Sequence, residues 1–383
     1  MPLKNASRSA SDKDFYSSRQ SCLRLSFSRI KIFKSSNNCE CSRHAVNRTF
    51  KRRFQKYPLE SNRKNSTGAP DRSLSAKRQV TISLTQLLGL QLCESSPDLA
   101  LSEYFQKLTG SLNVHNIFNP SFYCDDYLKI FAFRAIPDGN DFLASFVSIE
   151  DRHGQKTINL SIDYYKQLGG VRLIDPKICK IHDSIYITFN TGHINSGNDI
   201  YVMKLYPELE QPKKIIFKQR NLQERNWAFF SEGQEIFALY SINPLQILKL
   251  KNVDENSWEM EEYYEGKPSG KVPQELSIGT QLCKHQGKYY FLAHKKFLER
   301  FRKKIYLGKF CSLDFTNKTI SCGPDWFMHS FKSFFGSRLK HNSKLLSCTY
   351  FSGLQLSDNK VRVGYGINDV AYGFSTFPLE ILP

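Results

Sequence analysis

The 383-residue sequence has no Cys-x-x-Cys pair among its ten cysteines, and no full set of four Cys/His ligands stands at zinc spacing. The nearest approach is Cys39-Glu40-Cys41 with His44. Cys124, Cys179, Cys283 and Cys348 fall inside apolar runs, where a thiol packs as a small hydrophobe. The expectation is a reducing compartment, with neither a disulfide framework nor a metal core. No apolar run approaches the ~18 residues a membrane-spanning helix needs. No apolar segment of signal-peptide length follows the first basic residues, which argues against secretion. A Gly-rich phosphate loop, a Ser/His/Asp set and a Cys/His nucleophile pattern are also missing.

Acidic residues are scarce in one place. Residues 1–80 hold five of them against 19 Lys and Arg, with 15 serines. The other 303 residues hold 35 basic and 31 acidic groups, so the +18 net charge belongs to one segment. That argues against nucleic-acid binding by the body of the chain. A segment so poor in aliphatic runs cannot bury enough apolar surface to offset its ordering entropy, and it reads as a disordered basic extension. Three meanings stay open: an organelle transit segment, a basic arm for nucleic acid or an anionic membrane, or an extension without a role. Apart from the transit reading, the expected location is intracellular and cytoplasmic.

Long stretches of helical period are lacking too. Helical pattern is confined to Leu84–Leu92 and Asp98–Leu108, the second introduced by Ser96-Pro97-Asp98. Residues 81–111 therefore read as a short helical lead-in. From residue 112 onward, aromatic and β-branched residues alternate with polar ones in short runs cut by Gly, Asn, Asp and Pro, the period of half-buried strands. Four segments share one layout, opening at 119, 175, 226 and 280, in steps of 56, 51 and 54 residues. In each, the residue 15 places on is polar: Arg134, Asn190, Ser241 and Lys295. A fifth, divergent unit runs from Lys344 to Phe377. Several strands per unit at this period is what propeller blades require, because one blade cannot cover its own faces. The expected fold is all-β, a five-bladed β-propeller over residues 112–383, with one or two short helices before it. The alternative is a β-sandwich or two smaller β-domains.

In a propeller the first strand of every blade lines the axis, so the opening positions converge. They would bring together Asn119, Asp175, Glu224-Arg225-Asn226-Trp227, Thr280 and the turn Gly366-Ile367-Asn368-Asp369. Carboxylates, amides, guanidinium groups and one aromatic ring suit a hydroxyl-rich ligand. Gly170-Val171-Arg172-Leu173-Ile174-Asp175-Pro176-Lys177 resembles the Glu-Asp-Pro-Arg motif of five-bladed glycoside hydrolases. Glu224-Arg225-Asn226-Trp227-Ala228-Phe229 resembles their Glu-Lys-Asn-Trp-x-Phe segment. Tyr365-Gly366-Ile367-Asn368-Asp369 resembles the Ser-Tyr-Gly-x-Asn-Asp turn of related propellers. These relatives are the family 43 and family 130 type proteins, mannoside phosphorylases included.

The resemblance implies acid-assisted, inverting chemistry on an oligosaccharide at the axial funnel, by hydrolysis, phosphorolysis or glycosyl transfer. Asp175, Glu224 and Asp369 become the candidate catalytic carboxylates. Asn119, Arg134, Arg172, Arg225, Asn226, Trp227, Thr280, His294 and Asn368 become the candidate binding residues. No metal is implied, and inorganic phosphate is the one co-substrate, in the phosphorolytic case. The departures are specific. Asn119 stands where family 43 proteins carry a basic Asp, Arg225 replaces the motif Lys, and Leu245 replaces a His. The alternative they leave is a non-catalytic propeller that binds a glycan or a protein.

Overall fold

The alternation of apolar and polar side chains from residue 112 onward produces antiparallel meanders, each half-covered and needing a neighbour on either face. The computed structural model describes residues 89–168, 173–192, 197–222, 224, 226–268, 272–298, 304–332, 345–357 and 359–383. The expectations for the basic extension, for Cys39, Cys41 and His44, and for Arg172 and Arg225 lie outside them. The described chain is all-β, with two short helices.

The first sheet is the meander β2 (Val114–Cys124), β3 (Lys129–Pro137), β4 (Ala144–Asp151) and β5 (Gly154–Asn159). The second is β6 (Ile174–Ile181), β7 (Ser184–Asn190), β8 (Ile200–Tyr206) and β9 (Lys213–Ile216). The third is β10 (Ala228–Glu232), β11 (Glu235–Ser241), β12 (Leu245–Val253) and β13 (Ser257–Gly266), and its last strand pairs in parallel with β9. In the fourth, β14 (Leu276–Ile278) and β15 (Cys283–His285) both pair with β16 (Lys288–Leu298), followed by β17 (Lys304–Asp314) and β18 (Thr319–Cys322). The fifth comprises β20 (Leu345–Ser357), β21 (Lys360–Ile367) and β22 (Ala371–Pro378).

Five apolar clusters sit between successive sheets. Ile130 and Val147 meet Ile178 and Ile187 between the first and second. Val202 and Ile215 meet Phe229 and Trp258 between the second and third. Phe230 and Phe237 meet Phe291 and Leu313, and Leu292 and Phe310 meet Phe351 and Val363. The fifth cluster joins Phe374 of the last sheet back to Phe122 and Phe131 of the first. The five sheets therefore close on themselves in a propeller-like ring, which is how one core serves them all.

The lead-in helps that closure. Helix α1 (Leu99–Gly110) is capped by Asp98, whose side chain accepts from the Leu101 N–H, as the Ser96-Pro97-Asp98 signal implies. Its Leu101, Phe105 and Leu108 enter the fifth cluster, and Phe105 touches four aromatic rings at 4.8–5.3 Å. Pro97 bridges Ser375 on the free edge of β22. Leu90–Leu92, expected to be helical, is a strand, β1, paired in parallel with β19 (Trp326–Met328). A distant edge supplies its backbone partners, and that overrides a weak local helical pattern. The second helix, α2 (Leu160–Asp163), is a single turn after β5. Among the described residues no helix is long and apolar enough to cross a membrane.

Candidate functional site

Three of the repeat's four opening residues and one residue of the last turn share a backbone device. Asn119, Asp175, Asn226 and Asp369 all adopt left-handed φ, at 52°, 54°, 66° and 56°. Asn and Asp tolerate that region better than other residues with a side chain. Two of these positions coincide with breaks in register, between Phe118 and Ser121 and between Ile174 and Lys177. Bulges of this kind re-aim a side chain. All four residues line one cavity of about 770 Å³, together with Arg134, His294, Lys295 and Tyr350. Each of the five sheets or its leading segment contributes to that lining. The approach is close enough to dictate a glycine: a Cβ on Gly366 would stand 1.8 Å from the Asn119 Oδ1.

Arg134 and Asp175 form an ion pair across the first and second sheets, Nη1 to Oδ1 3.6 Å, with both side chains largely buried. The guanidinium also lies over the Phe118 ring, 5.1 Å from its centroid. Asp369 follows Asn368, whose Oδ1 accepts from the Cys348 N–H at 2.7 Å and whose own N–H donates to the Cys348 carbonyl. Burial pushes the Cys348 thiol well up, and the negative charges of Asp369 and Asp175 push it further. Both carboxylates thus act on one buried thiol.

Beside them, the Lys177 Nζ donates to the Asn226 Oδ1 at 2.8 Å, and the Tyr350 hydroxyl donates to the same oxygen at 2.9 Å. Lys177 is only 2% exposed. Burial pushes its pKa down to about 7, against the opposing pull of Asp175. His294 stacks on Tyr350 at 4.6 Å, and its Nε2 accepts from the Phe351 N–H at 2.7 Å. Burial, reinforced by the Lys177 charge, pushes the imidazole down to about 3. It is therefore neutral near pH 7, with its proton on Nδ1.

The remaining candidates lie elsewhere. Glu224 does not line the cavity. Its Oε1 accepts from the Tyr240 hydroxyl and the Asn221 N–H, its backbone N–H donates to Asn198, and burial pushes its carboxyl up. Trp227 is 3% exposed and packs edge-on against Tyr240 at 5.0 Å in the cluster between the second and third sheets. It reaches only a narrow crevice beside the cavity, shared with Asp175, Lys177 and Asn226. Thr280 is fully buried, its hydroxyl accepting from the Leu292 N–H, and Asn368 serves the turn. Of the residues singled out from the sequence, Asn119, Arg134, Asp175, Asn226, His294 and Asp369 come together.

Sequence reasoning missed Lys177, Tyr350, Glu275, Ser277 and Lys296. Lys177 was visible only as the last residue of the Asp-Pro-Lys triplet. The polar position 15 residues into each repeat did find two lining cations, Arg134 and Lys295. Among the described residues no group of three or more His, Cys, Asp and Glu side chains is placed to hold a metal ion.

No protein-family model matches this sequence, and no curated protein matches it. Solved structures do. One is a glycoside hydrolase from the family 130 mannoside phosphorylases that targets β-1,2-mannosidic linkages in Candida mannan. It is 12% identical, with 70% of this chain and 86% of that one covered and a TM-score of 0.50. A candidate glycosidase from Bacteroides thetaiotaomicron is 11% identical over 70% and 88% of the two chains, also at 0.50. A mannose phosphorylase from Leishmania mexicana, solved with a phosphate ion, covers 80% and 94% at 14% identity and a TM-score of 0.45. At these identities the likeness is one of fold. The fold is that of glycoside hydrolase-like propellers.

Proposed function

We propose that this chain is a carbohydrate-active propeller whose cavity takes an oligosaccharide. The observation that carries the reading is the convergence of Asp175 and Asp369 with Asn119, Arg134, Asn226 and Tyr350 from different sheets. Two carboxylates are the minimum inverting hydrolysis needs, one to protonate the leaving oxygen and one to activate the attacking water. Asp175, held by the Arg134 guanidinium, suits the base or the group that orients a sugar hydroxyl. Asp369 is the acid. The amides of Asn119 and Asn226 and the Tyr350 hydroxyl supply hydrogen bonds to ring hydroxyls. In the phosphorolytic variant the anion faces Arg134, Lys295 and Lys296. A neutral His294 adds no charge there, only an Nδ1–H donor.

The amide of Asn119 in the first sheet favours a second reading, a propeller that binds a glycan without cleaving it. One experiment separates the two. Hydrolysis and phosphate-dependent release are measured with mannosides, arabinosides, xylosides and galactosides, for the wild type and Asp175→Asn. Turnover that falls about a hundredfold or more in the variant supports the enzyme. Binding that persists in both, with no turnover from either, rejects it in favour of the binding propeller.

A further inference from the structure

The fourth sheet carries a thiol pair that has no part in the cavity. Cys311 on β17 and Cys322 at the end of β18 are directly opposed in the register of that antiparallel pair. Their sulfurs are 2.9 Å apart. Cys311 is fully buried, whereas Cys322 is half-buried on an outer strand that pairs with β17 alone. Opposed residues on antiparallel strands hold their Cα atoms about 4.5–5.5 Å apart. That lies inside the ~4.4–6.8 Å range a disulfide needs. Joining the two sulfurs thus asks for side-chain rotation and no backbone movement. Among the described residues this is the one pair of cysteine sulfurs in contact.

The two thiols differ in the way an attacking and a resolving sulfur do. Burial pushes Cys311 up, and the two sulfurs share a hydrogen bond that either thiol can donate. That hydrogen bond, aided by the charge of Lys309, holds Cys322 below its ordinary range. Lys309 is fixed beside it, its Nζ donating to the Gly323 and Pro324 carbonyls at 2.6 and 2.8 Å. A partly exposed, more readily ionised thiol next to a buried partner is the microenvironment of a reactive cysteine.

We propose that Cys311 and Cys322 form a reversible disulfide site that exchanges with low-molecular-weight disulfides of the glutathione class. The Cys322 thiolate attacks one sulfur of oxidised glutathione, forming a mixed disulfide and expelling one glutathione thiolate. Cys311, as it loses its proton, attacks the Cys322 sulfur and expels the second. Two protein thiols are oxidised, one glutathione disulfide is reduced, and the two protons end on the two glutathione thiols. The new bond ties β18 to β17 around the Asp314–Asn317 turn and locks the outer edge of the fourth sheet.

The test uses the full chain, reduced and then equilibrated with excess oxidised glutathione. Free thiols are alkylated, the protein is digested, and the peptides are weighed. The proposal expects the Cys311–Cys322 linked peptide, lighter by two hydrogens, to exceed the doubly alkylated form by ~tenfold and to revert with dithiothreitol. Cys311→Ser should leave Cys322 trapped as its glutathione adduct, and Cys322→Ser should leave Cys311 unmodified. Circular dichroism checks that each variant is folded. Both cysteines recovered alkylated, or each glutathionylated without linkage, in folded wild-type protein would overturn the proposal.

Discussion

Lys177 shows most sharply what the centre of this ring imposes on a single residue. Its ammonium is withdrawn from water with one direct acceptor, Asn226, and one nearby carboxylate, Asp175. An unfolded lysine titrates near ~10.4, and in the fold burial lowers this one to about 7. Between those values the unfolded chain holds a proton that the folded chain has released, so stability rises with pH through that window. Buried thiols such as Cys179 and Cys283, pushed up by desolvation, oppose the trend once unfolded cysteines ionise. The comparison with a variant therefore isolates the lysine. We expect wild-type stability to gain ~2 kcal/mol from pH 7 to 8.5 relative to Lys177→Met, read by urea titration at each pH. Parallel profiles would show that this amine is not held neutral.

Such a residue is hard to read from sequence. In Lys177-Ile178-Cys179-Lys180 the two lysines look alike, yet one is buried and the other exposed. Only closure of the ring distinguishes them. Asp175 and Asn119 were legible because the repeat fixed their spacing. Glu224 and Trp227 lie off the cavity because Asn226, at φ 66°, turns to it, while Trp227 packs between sheets and Glu224 is held by Tyr240 and Asn221.

At the scale of elements, the meanders were visible as period-two runs, and α1 was announced by its cap. β1 was not, because three residues are too short an alternation to read in sequence and the partner strand that makes them extended lies more than 230 residues away. The segment before α1 also does more than lead in. Asp98 caps the helix, accepts from the Thr376 hydroxyl at 2.7 Å and faces the Arg362 Nε at 3.3 Å. The Ser96 carbonyl accepts from the Thr376 N–H, and the Cys93 carbonyl from the Ser375 hydroxyl. These contacts give the three-stranded fifth sheet its outer edge. Asp98→Ala removes a cap and leaves a half-buried hydroxyl and guanidinium without their carboxylate, at a cost of ~1–2 kcal/mol. Hydrogen exchange should show the extra opening concentrated in α1 and β22. Uniform loss of protection, or none, would mean that the lead-in does not fasten this sheet.

For the whole molecule, the inter-sheet clusters explain why residues about fifty positions apart become neighbours. Each sheet is buried on two faces by different partners, and the first and last meet through Phe122 and Phe374 at 5.6 Å. The site is a consequence of that closure, since no single sheet holds both Asp175 and Asp369. The most direct test is calorimetric titration of the best ligand from a glycan panel. It compares wild type with Arg134→Ala, Asp369→Asn and Glu224→Gln. Affinity should fall tenfold or more, ~1.4 kcal/mol, for each of the first two, although they stand on opposite ends of the repeat. Glu224→Gln should bind like the wild type. Loss of binding in a folded Glu224→Gln, with the two cavity variants unaffected, would contradict the shared site.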